Sequence, residues 1–212
     1  MQMLEKLQYE RRIWEKGNKY IAGVDEAGRG PIAGPVVAAA VILKNSIPNS
    51  IPVRIDDSKK LTHKQRQIAY KWIVKKALAY SVGIVSPQEI DRINIKEATI
   101  LAMRKAIKTL PIQPEHILVD GYPISAPPLP QTAIIKGDSK SLSIAAASII
   151  AKVVRDQVML EYDEDFPHYD FASNKGYGTQ KHVDAIIANG FSPIHRRSFK
   201  LKQLQQLGLF SE

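Results

Sequence analysis

Ile21-Ala22-Gly23-Val24-Asp25-Glu26-Ala27-Gly28-Arg29-Gly30-Pro31-Ile32-Ala33-Gly34-Pro35-Val36-Val37-Ala38-Ala39-Ala40-Val41-Ile42-Leu43 is the stretch that decides the fold. Residues 21–25 read as a short strand that delivers two adjacent carboxylates, Asp25 and Glu26, to its end. Residues 36–43 have no polar face, as expected of a strand buried on both sides. Between them lies Gly28-Arg29-Gly30, a glycine-flanked arginine in a turn. Carboxylates collect hard divalent cations, and a Gly-Arg-Gly turn offers open backbone N–H groups and a guanidinium to phosphate or sugar oxygens. The stretch describes a place where a metal ion and a nucleic-acid backbone could meet. It also matches the G-x-G-x-x-A form of a dinucleotide-binding turn, but that turn must open a helix. Here Pro31 and Pro35 lead into the buried strand instead, which argues against a dinucleotide site.

Outward from this stretch, strands and helices alternate. Residues 2–16 read as a helix of mixed charge. Thr62-His63-Lys64-Gln65 has the form of a capping box opening a helix to about residue 78. Residues 80–85 alternate as a strand. Ser86-Pro87-Gln88-Glu89 is a second capping box, with a longer helix expected over about residues 96–108. Residues 116–120 and 133–136 read as strands on either side of a proline-rich loop. The longest helix, about residues 141–162, is apolar around much of its circumference and should be buried. Residues 163–178 look irregular, and 179–189 helical. The mix argues an α/β unit with helices covering a sheet.

The chain has 212 residues, 44% of them hydrophobic, which suits a globular protein. One unit is expected over residues 1–212, with a core over about 18–165 and a helical C-terminal part and tail over about 166–212. Thirty basic against 21 acidic residues give a net charge of +9, which suits a polyanionic partner. With no cysteine, disulfides, thiolate catalysis and cysteine-held zinc or iron–sulfur clusters are excluded. The five histidines, at 63, 116, 168, 182 and 195, form no H-x-x-x-H pair of a zinc hydrolase. No apolar run approaches the roughly 20 residues of a membrane span, and the first 12 residues lack the apolar core of a signal peptide. A cytoplasmic monomer is expected.

Three acidic positions stand at ends of short apolar strands: Asp25 with Glu26, Asp120 after Ile117-Leu118-Val119, and Asp138 after Ile134-Ile135-Lys136-Gly137. Strand ends are where an α/β sheet gathers its catalytic groups. Singly each has a plainer explanation: Asp120-Gly121 a turn, Asp138 a helix cap. Together, four carboxylates can hold two divalent cations about 3.5–4 Å apart, an arrangement that serves phosphodiester hydrolysis.

In order along the chain, these blocks resemble the ribonuclease HII family. Residues 23–39 resemble its opening block, Asp57-Ser58-Lys59-Lys60-Leu61 the next, and Val119-Asp120-Gly121 the third. Gly137-Asp138 with residues 143–152 resembles the fourth; Lys175-Gly176-Tyr177-Gly178-Thr179 and His195-Arg196-Arg197-Ser198-Phe199 resemble the last two. The resemblance implies a ribonuclease H-like fold, a five-stranded mixed sheet flanked by helices with a helical C-terminal part. It implies hydrolysis of the RNA strand of RNA–DNA hybrids and incision 5′ to ribonucleotides embedded in duplex DNA, leaving 3′-hydroxyl and 5′-phosphate ends. Mg²⁺ or Mn²⁺ would be the cofactor, two ions per site, held by Asp25, Glu26, Asp120 and Asp138. No side chain stands out as a general base, so water activated by the metal is the expected nucleophile. The rival readings are a DNA nuclease of the same broad fold and a non-catalytic RNA-binding module.

The same resemblance gives Gly28-Arg29-Gly30 the reading of 2′-hydroxyls through its backbone, where a Cβ would hold the sugar off. Tyr177 would stack on the deoxyribose just past the ribonucleotide. Ser58 and Lys59 would touch phosphates, with Lys60, Arg196 and Arg197 as further basic candidates. Gln206-Leu207-Gly208-Leu209-Phe210 resembles the short peptide by which bacterial repair proteins dock on the DNA sliding clamp, with Gln206, Leu207, Leu209 and Phe210 as contacts; a last helical turn packed on the domain is the alternative.

Overall fold

The computed structural model describes residues 5–47, 51–125 and 128–199. Five strands, β1 (Ile21–Ala27), β2 (Val36–Ile42), β3 (Ala79–Val85), β4 (His116–Asp120) and β5 (Gln131–Ile134), form one sheet in the order β3-β2-β1-β4-β5. β1, β2 and β3 pair antiparallel, while β4 and β5 join β1 in parallel. Among the described residues the helices named are α1 (Gln8–Trp14), α2 (His63–Lys76), α3 (Pro87–Lys108), α4 (Gly137–Lys140), α5 (Leu142–Asp165), α6 (Phe171–Asn174) and α7 (Gln180–Asn189). Among the described residues, no helix is long and apolar enough to cross a membrane.

β2 is buried at every position because both its faces are covered, which accounts for its unbroken apolar run. On one face Ala22, Val24, Ala38, Ala40 and Val119 pack with Ile90, Ala98, Ala102 and Ala106 of α3. On the other, Ala39 and Val41 pack with Ala146, Ile149 and Ile150 of α5 and with Ile73 of α2. Gly23 marks the closest approach of strand and helix, since a Cβ there would lie 2.1 Å from the Ser143 carbonyl carbon. α5 is thereby pressed against the strand that carries Asp25. Its N-terminus receives the buried carboxylate of Glu10 from α1, which accepts from the Ser143 N–H at 3.0 Å and the Ser141 hydroxyl at 2.6 Å. Negative charge is favoured at that end of a helix.

Several boundaries differ from the sequence reading in instructive ways. Thr62 and Gln65 make the full capping box, whereas Ser86 accepts from the Glu89 N–H but the Glu89 carboxylate turns to Arg92 instead. α3 breaks at Asn94, whose backbone is extended in ψ at positive φ and whose side chain accepts from the Lys96 and Glu97 N–H groups. Asn94 therefore caps the second half of α3, which is why that half reads as a helix of its own. β5 begins and ends two residues earlier than expected, because its register with β4 runs from Ile117↔Gln131 to Asp120↔Ile134. The chain then passes through a left-handed Lys136 into α4, so Asp138 lies on a helical turn and not at a strand end. Residues 163–178 are less irregular than they read: α5 extends to Asp165, followed by a 3-10 turn (Pro167–Tyr169) and α6. Among the described residues of the expected N-terminal helix, α1 covers Gln8–Trp14.

Candidate active site

The register of the parallel pair brings the first carboxylates together. Val24 is the partner of Val119, so Asp25 and Asp120 follow side by side where the β1–β4 pairing ends. Asp25 lies inside β1, two residues before its end, and is buried, with the Ser148 hydroxyl of α5 favouring its charged form. One Asp25 oxygen also accepts from the Glu26 N–H at 2.7 Å. Asp120 accepts from the Gly137 N–H at 2.6 Å, a bond that ties α4, and with it Asp138, to the end of β4.

Electrostatics show that these groups share one environment. Burial, then the charges of Glu26 and Asp120, raise the Asp25 carboxyl well above the usual carboxylate range. Glu26 is raised by burial and by Asp120, against the pull of Arg29, whose guanidinium lies 3.3 Å from it. Asp138 is raised by burial, then by Asp57 and Asp120, against the pull of Lys59. The donors are hard oxygens, crowded and short of positive charge, and divalent cations of the Mg²⁺ or Mn²⁺ class fit them in chemistry. Among the described residues, no three Asp, Glu or His side chains are gathered closely enough to hold a metal ion.

The Gly28-Arg29-Gly30 loop stands beside this cluster and rests on two buried arginines. Arg196 donates from Nη2 to the Gly28 carbonyl at 2.6 Å, from Nη1 to the Arg29 carbonyl at 3.2 Å, and from Nε to the Gly34 carbonyl at 2.9 Å. Arg155 donates to the carbonyls of Pro35 at 3.0 Å, Ala33 at 3.1 Å and Lys175 at 2.9 Å. Gly28 has φ +97°, and a Cβ on it would lie 2.2 Å from Arg155 Nε, so this glycine serves the loop's inner packing. Gly30 differs: a Cβ there would find only the Tyr177 ring, at 3.7 Å, leaving the outer side open.

Tyr177 is half-exposed on a loop fastened from several sides. The Gly176 carbonyl accepts from Ile32 N–H at 2.8 Å, and a Cβ on Gly176 would meet the Ala33 oxygen at 2.3 Å. The Tyr177 carbonyl lies 2.8 Å from His182 Nδ1, and His182 Nε2 lies 3.0 Å from His195 Nε2. A carbonyl only accepts, so His182 carries its hydrogen on Nδ1. His195 Nδ1 accepts from the Ser192 N–H at 2.9 Å, so the one hydrogen between the two rings belongs to His195. Both imidazoles are neutral, and burial pushes His195 down to about 3.

The remaining candidates separate. Lys59 is exposed on the Asp138 flank, and Lys60 bonds the Ser139 hydroxyl at 2.9 Å. Ser58 is buried, its hydroxyl 3.0 Å from that of Ser148. Arg196, a candidate phosphate contact from the sequence, is instead 1% exposed, while Arg197 lies over the Phe191 ring at 4.5 Å. Gln206, Leu207, Leu209 and Phe210 lie outside the described residues. The sequence reading passed over Arg155 and gave no role of their own to Ser148 and Asp57, which it had only as parts of the family blocks. An arginine within the apolar stretch of α5 was the available signal for the first.

Comparison with known proteins shows the fold and the family. A family model described as Ribonuclease HII matches residues 22–202. A ribonuclease HII from Caldanaerobacter subterraneus subsp. tengcongensis is 52% identical over 197 residues, covering 93% of this chain and 80% of that protein. The crystal structure of ribonuclease H2 from Pyrococcus horikoshii superposes with a TM-score of 0.75 at 27% identity, covering 91% of this chain and all of that one. The ribonuclease HII of Archaeoglobus fulgidus, solved in a complex with PCNA, gives a TM-score of 0.67 at 30% identity, over 87% of this chain and 96% of that one. With a matching fold, a matched span that takes in the carboxylate cluster, and a half-identical relative, the chain belongs to the ribonuclease HII family, endoribonucleases that act on RNA–DNA hybrids and on ribonucleotides in DNA.

Proposed function

We propose that the chain incises DNA 5′ to an embedded ribonucleotide, and cuts the RNA strand of hybrids, with Asp25, Glu26, Asp120 and Asp138 holding two divalent cations, Mg²⁺ or Mn²⁺. The observation that carries this reading is geometric: Asp25 and Asp120 follow side by side at the ends of the paired β1 and β4, the Gly137 N–H ties the α4 turn of Asp138 to Asp120, and Arg29 of the Gly28-Arg29-Gly30 loop reaches Glu26. When bound, such cations activate water and neutralise charge on the departing oxygen. The chain's own residues do the rest. Asp25 is buried beside Glu26 and Asp120, while Asp138 comes from α4 with Lys59 near it for a phosphate. The open N–H groups of the Gly28-Arg29-Gly30 loop read the 2′-hydroxyl, the one group separating RNA from DNA. Tyr177, next to Gly30, packs on the sugar that follows.

The test is cleavage of a labelled DNA duplex containing one ribonucleotide, with Mg²⁺, with Mn²⁺ and with EDTA. The expected result is one metal-dependent cut on the 5′ side, lost in Asp138→Asn while duplex binding survives. Wild-type turnover by that variant would remove Asp138 from the metal site. A second element concerns the tail. The Archaeoglobus relative was solved with PCNA, and residues 206–210 have an anchor glutamine followed by leucine and phenylalanine suited to an apolar pocket. Docking of this tail on a sliding clamp is the matching proposal. Deletion of residues 206–212 should abolish clamp binding and spare cleavage; undiminished binding would end the idea.

A further inference from the structure

Two guanidiniums in the interior demand an explanation. Arg155 and Arg196 are each 1% exposed, and among the described residues neither forms an ion pair with a carboxylate. Burying an arginine without a carboxylate is expensive, and an apolar side chain of similar volume would often be as stable or more so. The cost here is large enough to lower Arg155 to about 10 and Arg196, also repelled by Arg155, to about 9, both still charged at neutral pH. All their hydrogen bonds go to main-chain carbonyls, and all but one of those carbonyls belong to residues 28–35; the other is Lys175.

Peptide geometry gives this pattern its meaning. In a trans peptide the C=O of one residue and the N–H of the next lie in one plane and point opposite ways. Arg196 draws the Gly28 and Arg29 carbonyls inward, which turns the Arg29 and Gly30 N–H groups outward. Among the described residues, neither N–H has a protein acceptor. Arg155 spans two loops, holding residues 33 and 35 through two carbonyls and the Tyr177 loop through the Lys175 carbonyl.

We propose that Arg155 and Arg196 are positioning residues for ribonucleotide specificity: without touching substrate, they aim the Arg29 and Gly30 N–H groups outward and fix Tyr177 relative to them. The proposal rests on the reading of that loop as the 2′-hydroxyl reader. Fork geometry carries the role, so lysine, which keeps the charge but offers a single nitrogen, does not replace it.

The experiment compares wild type with Arg196→Lys and Arg155→Lys. Fluorescence anisotropy with EDTA present, which prevents cleavage, measures the affinity for a DNA duplex containing one ribonucleotide and for the all-DNA duplex of the same sequence. Wild type prefers the first. In both variants the all-DNA affinity stays at the wild-type value and the preference falls about tenfold, one well-made hydrogen bond's worth. A merely structural role would lower the binding-competent fraction equally for both duplexes and leave the ratio unchanged; that outcome overturns the proposal. So does loss of the melting transition in both variants, which would assign the arginines to holding the whole fold. A wild-type protein without any preference would instead refute the 2′-hydroxyl reading itself.

Discussion

Acid should act against this protein through imidazoles that burial holds neutral, His195 above all. His195 is 3% exposed, accepts at Nδ1 from the Ser192 N–H, and donates at Nε2 to His182. A second proton would have to enter at Nδ1, against a backbone donor. Its folded value of about 3 lies below the ordinary 6.5, so between those limits the unfolded chain holds more protons and stability falls as pH falls. At pH 7 the unfolded-state histidine is mostly neutral; at pH 5 it is almost fully charged while the folded one is not. Integrating over that window gives a loss of ~2 kcal/mol. Asp25, Glu26 and Asp138, raised in the folded state, act in the opposite sense as pH falls. The clean readout is therefore the difference between wild type and His195→Gln, in which the carboxylate contributions cancel. Urea unfolding at pH 7 and pH 5 should show wild type losing ~2 kcal/mol more than the variant, about 0.7–1 M in midpoint. Equal losses in the two proteins would refute the reasoning, since no proton uptake could then be assigned to His195.

Three further outcomes follow from the same geometry. Gly23→Ala places a Cβ 2.1 Å from the Ser143 carbonyl carbon, so it should cost about 3 kcal/mol by thermal or urea unfolding and misplace Asp25 enough to suppress cleavage. Tyr177→Ala should reduce the preference for an RNA–DNA junction over a continuous hybrid by about 5-fold, from ~1 kcal/mol of stacking. Its melting temperature should barely move, since 46% of the residue is exposed. Saturating Mg²⁺, which relieves the repulsion among the acids, should stabilise the protein by ~2.7 kcal/mol at a hundredfold excess over Kd, and Asp25→Asn should abolish most of that gain. Calorimetry with and without EDTA measures it.

The sequence by itself determined what local chemistry can encode. The apolar run of β2 implied burial on both faces, the Thr62 and Ser86 caps marked helix starts, and four acids next to short strands pointed to hydrolysis of a phosphodiester. Other features depend on contacts between residues far apart in the chain, and no local pattern carries them. The limits of β5 follow from its register with β4, so Asp138 moved from a strand end to the turn of α4. Arg196 reads as a basic candidate for a phosphate, yet its guanidinium is enclosed by carbonyls more than 160 positions away. Gly28 looks like a glycine kept for the substrate, whereas the space it leaves is filled by Arg155. Residue type is fixed by the sequence, but whether a charge faces water or a backbone oxygen is decided only when the sheet, α5 and the C-terminal elements close on one another, because desolvation and hydrogen-bond direction are properties of the packed chain.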